Sequence, residues 1–312
     1  MSITVRPYHR PSDFETVGNF LIENYQPGNR DGNWLQPTWE YMHSHPYLDE
    51  TSLAKIAIWE DDGEIVGVVH YESVLGEAFF EIHRDYVHLK SAMLDYAERN
   101  LGRATENGGC HLNVFVNDWD TAFESLVKSR GYELDAQHNR PMAQLTLTPP
   151  FRPDLCVPDG FQIKSLADEN NLLKNQRVLW RGFNHPGEPP ASELDGQVKM
   201  QSVPHFDKNL KIVVQAPNGD FVSFCGMWYE STNKIAYVEP VATDPDFRRM
   251  GLGKVAVLEG IRRCSDLGAT VAYVGSDQLF YQVLGFQVVF TSKCWQKKFL
   301  TQKGDQANGH AN

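Results

Sequence analysis

The chain has 312 residues, 41% hydrophobic and 22% charged, and at roughly 150 residues per domain this predicts two compact units. Lys and Arg total 29 against 40 Asp and Glu, and the formal net charge of -11 speaks against a duplex nucleic-acid binder, whose affinity comes from neutralising phosphates. No run approaches the ~18 consecutive apolar residues of a membrane span. The opening Ile3-Thr4-Val5-Arg6 lacks the basic and apolar regions of a secretory signal, so the expectation is a cytoplasmic globular protein with neither nucleic acid nor membrane as partner. Cys110, Cys156, Cys225, Cys264 and Cys294 are scattered singly, which argues against a disulfide scaffold or a structural zinc site; no metal is expected.

In chain order, Ile3–Pro7 reads as a short strand leading into a helical stretch, followed by Lys55-Ile56-Ala57-Ile58, the turn signal Asp62-Gly63, and Tyr71-Glu72-Ser73. The same pattern returns later. Phe161–Ser165 opens the second copy, Lys211-Ile212-Val213-Val214 precedes Asn218-Gly219, and Tyr229-Glu230-Ser231 closes it. Asp-Gly and Asn-Gly accept the positive φ of a type I′ turn, so each half should own a matching antiparallel hairpin. Between the copies lies the proline-rich 148–158, which cannot be helix or central strand. The expected organisation is a domain at 1–147, a linker at 148–158, a domain at 159–300 and a disordered tail at 301–312.

The second half continues with a strand, Ile235–Thr243, a loop to Met250, and a helix over 251–267 with Val257, Ile261, Cys264 and Leu267 on one face. A β run at 270–274, a short helix at 280–284 and a strand at 286–290 complete it. Strands and helices alternating around a mixed sheet give an α+β (α/β mixed) fold class.

The loop Arg248-Arg249-Met250-Gly251-Leu252-Gly253-Lys254 joins a strand end to a helix start, where unpaired N–H groups and the positive end of the helix dipole converge. Two glycines let the backbone approach a diphosphate, and Arg248, Arg249 and Lys254 add positive charge. Val255 after Lys254 excludes a Walker A loop; Ala256 and the late position in the domain make a dinucleotide fingerprint a poor fit. The alternative is a glycine-rich turn with solvated arginines.

Arg248-x-x-Gly251-x-Gly253 after Pro240-Val241-Ala242-Thr243, followed by Phe280-Tyr281-Gln282-Val283-Leu284-Gly285-Phe286, resembles the GNAT superfamily of acetyl-CoA-dependent N-acetyltransferases. The resemblance covers about residues 160 to 297, and the internal repeat extends it to the first half, which implies two tandem GNAT-like domains. It further implies that the backbone of Arg249, Gly251, Gly253 and Lys254, with Arg248, holds the CoA diphosphate, that Val241 and Thr243 flank the pantetheine arm, and that Tyr281 is the general acid. A phenol with a reference pKa near ~10 keeps its proton at neutral pH and can give it to a departing thiolate. The acceptor amine must instead lose a proton. Glu239, on the strand entering the loop, is the candidate base, with Tyr237 on the same face as an acceptor contact. The lid-like segment Trp180–Pro190 supplies His185 and Glu188 as further acceptor contacts, with a connecting loop as the alternative reading.

The first half has lost the equivalent site. The offset between copies is 158 at Ala78/Ala236 and 166 at Leu101/Leu267, so eight residues are missing at the phosphate loop. His83-Arg84-Asp85-Tyr86-Val87-His88 stands there without glycine, and Val127 stands where the second half has Tyr281. A structural role follows, closing one side of the acceptor pocket. The expected function is acetyl transfer from acetyl-CoA to a primary amine of a small molecule or peptide by direct attack in a ternary complex. An acyl-CoA sensor and an aminoacyl-tRNA-dependent transferase are the alternatives. The identity of the amine and the oligomeric state, a homo-oligomer included, stay open.

Overall fold

The computed structural model describes residues 3–105 and 108–300. Its first half runs β1 (Ile3–Pro7), α1 (Ser12–Asn24), α2 (Gln36–Ser44), β2 (Ala57–Asp61), β3 (Glu64–His70), β4 (Glu77–Ile82), α3 (Lys90–Asn100), β5 (Arg103–Ala104), β6 (Gly109–Asn117), α4 (Thr121–Ser129), β7 (Glu133–Leu134) and β8 (Arg140–Thr146). The second runs β9 (Gln162–Ser165), α5 (Leu172–Gly182), α6 (Leu194–Met200), β10 (Lys211–Gln215), β11 (Phe221–Glu230), β12 (Ile235–Thr243), α7 (Leu252–Asp266), β13 (Val271–Val274), α8 (Leu279–Val283) and β14 (Gln287–Leu300). The expected tail at 301–312 lies outside the described residues. Among the described residues no helix is long and apolar enough to cross a membrane.

The fold is α+β, and its two compact units do not follow the sequence halves. Among the described residues, unit 1 gathers 3–10, 49–105, 108–139 and 292–300; unit 2 gathers 11–48 and 140–291. Within unit 1 the strands lie in the order β1-β2-β3-β4-β6-β14, with β4–β6 parallel and the last place filled by Ser292–Leu300 of β14. Within unit 2 the order is β9-β10-β11-β12-β13-β8, with β12–β13 parallel and the last place filled by β8 from the first half. The division at 147/159 expected from the repeat thus separates neither unit. A repeat shows which segments are alike, whereas the apolar face each segment buries decides where it packs.

Asp62 and Gly63 both take positive φ (51° and 89°), as the first hairpin requires. The second hairpin differs. Its turn bond runs from Gly219 N–H to Ala216 O, which puts Pro217 inside the turn and leaves only Gly219 with positive φ. Proline is locked near φ -65°, so it favours a type I turn closed by a left-handed glycine. The proline-rich stretch is irregular, as expected, yet tied down: Phe151 N–H donates to Ser265 Oγ and Arg152 pairs with Asp266.

Unit 2 is layered. On one face of its sheet, Val257, Ile261 and Cys264 of α7 pack with Ile212, Met227 and Val238; Leu267 terminates the helix and is exposed, so it does not share that face. On the other, Val178 and Leu179 of α5 pack with Val213, Phe224 and Ala242. The same side carries Leu35 and Tyr41, from the N-terminal 48 residues, against Trp228, Tyr237 and Tyr273. Buried Glu40 holds that region in place by accepting from the backbone N–H of His205 (2.6 Å) and from Gln36 Nε2 (2.9 Å), with His205 Nδ1 2.7 Å away.

Candidate active site

The site begins with a fault in a strand pair. Cys225 faces Val241 and Met227 faces Val238, so Glu239 and Pro240 together oppose the single residue Gly226. A Cβ on Gly226 would lie 2.3 Å from Glu239 O, so no larger residue fits without displacing the backbone. Trp228 Nε1 donates to the same carbonyl at 2.9 Å. Beyond the fault the parallel pairing of β12 with β13 has already stopped, at Tyr237 opposite Tyr273, while β12 continues to Thr243. From Val238 onward one edge of β12 has no strand partner among the described residues, an edge along which an extended ligand could lie.

The turn after β12 is built from the outside. Buried Asp244 accepts from Asp246 N–H (3.0 Å) and from Arg181 through Nε (2.5 Å) and Nη2 (3.0 Å). Burial alone would raise its carboxyl, but Arg181 and the backbone donor outweigh burial and hold it below the usual carboxylate range. Arg248 donates to Thr243 O (3.1 Å), Gly182 O (2.8 Å) and Asn184 Oδ1 (2.8 Å), so its guanidinium braces the turn. Arg249 is exposed and sits at φ 64°. Gly251 caps α7 at φ 79° with no side-chain cap, and a Cβ there would meet nothing within 4 Å. The first-turn N–H groups of this 15-residue helix have no side-chain cap from Gly251 and no acceptor from within the helix. This arrangement fits a diphosphate.

The turn, the strand end and α8 meet at one point. A Cβ on Gly253 would be 3.0 Å from Thr243 Oγ1 and 3.7 Å from the Phe280 ring. Next to Phe280, Tyr281 is 8% exposed and packs edge-on against Phe280 (4.9 Å) and Phe286 (5.8 Å). Burial pushes its phenol far above the usual range, and Cys225 and Glu239 act in the same direction, which puts both within electrostatic reach. Cys225 is itself fully buried and raised by burial, an inert thiol. Glu239 is half-buried at the fault.

A second opening, a half-open pocket, lies on the α5 side of the sheet. Tyr41, His45, Pro46 and Tyr47 form one wall at the end of α2. Gln176, Leu179, Trp180, Phe183 and His185 form another along α5 and its exit, and Gln197, Met200 and Pro240 complete it. Pro240 belongs to the strand fault, so the pocket abuts Glu239.

Of the acceptor contacts expected from sequence, His185 lines the pocket, stacked on Trp180 at 4.3 Å. Glu188 does not line it: it is exposed and paired with Arg177 at 2.8 and 3.1 Å. Tyr237 does not either, being 4% exposed and packed with Leu35, Trp228 and Tyr273. Val241 and Thr243 lie on the unpaired length of β12, half-buried, with Thr243 Oγ1 3.0 Å from Ser223 Oγ. Sequence reasoning missed the α2 wall. Its signal was the alternating Trp39-Glu40-Tyr41-Met42-His43 run ending in His45-Pro46-Tyr47, ring-rich yet far from every motif.

The corresponding strand pair of unit 1 has no such fault. β3 and β4 pair in unbroken register from Gly67 opposite Ile82 to His70 opposite Phe79. The segment after β4 is a short 3-10 turn, Arg84–Leu89, capped by His83 Nδ1 accepting from Asp85 N–H. Val127 is fully buried in α4.

Residues 176–286 match the family described as acetyltransferase (GNAT) family. Comparison with curated protein sequences finds no match. Among solved structures the chain is similar to a GCN5-related N-acetyltransferase from Sphaerobacter thermophilus, at 14% identity over 95% of each chain with a TM-score of 0.63. It is also similar to a tandem GNAT protein from the clavulanic acid biosynthesis pathway, at 12% identity over 95% of this chain and 98% of that one, TM-score 0.64. N-myristoyltransferase of Saccharomyces cerevisiae with bound myristoyl-CoA shares 12% identity over 95% of this chain and 78% of that one, TM-score 0.55. The faulted strand, the glycine turn and the tyrosine helix all fall inside residues 176–286, the segment that matches the GNAT acetyltransferase family, and the chain shares the fold of these GNAT structures, a tandem one among them.

Proposed function

We propose that the chain transfers an acetyl group from acetyl-CoA to a primary amine by direct attack. The observation that carries the reading is the meeting of three features at Gly253: a helix N-terminus without a side-chain cap, the unpaired edge of β12, and α8 with its buried, proton-holding tyrosine. When bound, the thioester supplies the electrophilic carbonyl. The backbone of Arg249, Gly251, Gly253 and Lys254 would hold the diphosphate, with Arg248 bracing the turn from behind. Val241 and Thr243 would flank the pantetheine arm. Tyr281, kept protonated by burial, holds a proton at its hydroxyl for the departing thiolate. Glu239 is assigned to take the ammonium proton, since it borders both Tyr281 and the pocket through Pro240. The amine would occupy the pocket, against His185 and the α2 wall. Unit 1, with its regular β3–β4 register and its glycine-free turn, is assigned a structural role.

The test is thiol release from acetyl-CoA by the full chain across a panel of primary amines, with longer acyl-CoA donors in parallel. Saturable, amine-dependent release that is fastest with acetyl-CoA is expected. CoA binding without release from any amine would make the chain a sensor; faster release from a long-chain donor would replace acetyl by that group.

A further inference from the structure

We infer that the pocket beside Pro240 selects an amine with one amino group on an apolar, ring-sized body, and discriminates against polycations. The inference rests on the amine-transfer reading above. Among the described residues that line the pocket, none carries a carboxylate. Apart from Glu239, two acids on neighbouring elements are engaged elsewhere: Glu188 is held in two hydrogen bonds by Arg177, and Glu40 is buried beneath the donors of His205 and Gln36. A cation stands beside the α2 wall, since Lys199 Nζ donates to His45 O at 3.2 Å. The single reacting ammonium would face Glu239 across Pro240. Every further ammonium of a polyamine or an amino sugar held against these walls would lose part of its hydration without meeting a counter-charge, which is unfavourable.

The polar atoms of the walls are largely turned toward the protein. Trp180 Nε1 donates to Pro186 O, Gln176 Nε2 donates to Pro190 O, and Gln197 Oε1 accepts from Asn175 Nδ2. Toward the opening the larger share is ring and aliphatic surface from Tyr41, Tyr47, Leu179, Trp180, Phe183 and Met200, with the imidazoles of His45 and His185 beside it. Such walls suit a phenyl ring or a branched chain. Attraction of a cation to these rings can serve one ammonium, not a chain of them. An anionic body fares no better, because no Lys or Arg lines the pocket among the described residues.

The experiment uses the full chain with 2-phenylethylamine, putrescine, spermidine and a short peptide beginning with phenylalanine. Calorimetric binding in the presence of CoA and thiol release from acetyl-CoA are both measured. 2-Phenylethylamine is expected to bind, and to be turned over in kcat/KM, at least tenfold better than putrescine or spermidine. Phe183→Ala should raise its KM at least fivefold. Gln197→Glu keeps the acceptor for Asn175 and adds a charge, and should shift the kcat/KM ratio toward putrescine at least tenfold. Binding of 2-phenylethylamine without thiol release overturns the transfer reading and supports the pocket chemistry. Preferred turnover of spermidine or putrescine leaves transfer intact and overturns the pocket chemistry. So does a peptide used tenfold better than the free amine, or the absence of binding heat from every probe.

Discussion

Lys211 opens β10 from a position 1% exposed, an unusual place for a charge. Its Nζ donates to Met227 O at 2.7 Å and sits 3.6 Å above the Trp228 ring. These contacts do not restore the lost hydration: burial lowers the pKa from 10.5 to about 7, against smaller upward contributions from Cys264, Cys225, Glu40 and Asp207. A base whose folded pKa lies below its unfolded one destabilises the fold fully below the folded value and not at all above the unfolded value. Stability from this group therefore rises with pH between about 7 and 10.5. Integrating the linkage relation, burying Lys211 costs about 4 kcal/mol at pH 7 and about 2 kcal/mol at pH 9. Replacing it by methionine removes the titration and orphans one acceptor, a loss that does not vary with pH. The difference in unfolding free energy, wild type minus Lys211→Met, should climb by about 1 kcal/mol from pH 8 to pH 9. Urea unfolding of both proteins at four pH values between 6.5 and 9.5 measures it. A difference that stays flat, or falls as pH rises, would refute the argument.

Tyr281→Phe keeps both ring contacts, so melting temperature and CoA affinity should hold while kcat drops by about 10² to 10⁴-fold; undiminished thiol release rejects the acid role. Because burial raises the Tyr281 phenol, the rate should rise with pH as the amine deprotonates and show no alkaline fall below about pH 10; a tyrosine-dependent decline beginning near pH 8 would contradict this. Arg248→Ala should lower the melting temperature, since three acceptors lose their donor, whereas Arg249→Ala should leave stability alone and weaken CoA binding most at low salt. Equal stability of the two variants would show that Arg248 does not brace the turn. Gly226→Ala forces a backbone shift against Glu239 O and should cost about 1–3 kcal/mol or more together with activity, measured by denaturation and thiol release; a neutral outcome would mean that the strand fault tolerates a side chain.

The parts of the site that depend on local chemistry were legible in the sequence. Gly251 and Gly253 announce a backbone that something must approach, and Phe280-Tyr281 with Gly285-Phe286 marks a short helix ending in a glycine turn. The strand fault was not legible, because Gly226 and Pro240 each read as ordinary strand interruptions until they are found opposite one another. Arg248 read as ligand charge; two of its three protein acceptors, Gly182 and Asn184, lie 66 and 64 residues before it, which no local pattern encodes. Glu188 read as an acceptor contact for the same reason in reverse, since its partner Arg177 lies one helix earlier. The α2 wall escaped because it comes from the half of the chain that carries none of the motifs.

The traded end strands bear on biogenesis. A ribosome that has just released Thr146 has finished neither sheet: β6 still waits for Ser292–Leu300, and β8 waits for β13. Through most of translation the nascent chain must carry an unsatisfied rim, a natural client for chaperones. Cutting the gene between its two sequence halves would yield two polypeptides, each missing the other's closing segment.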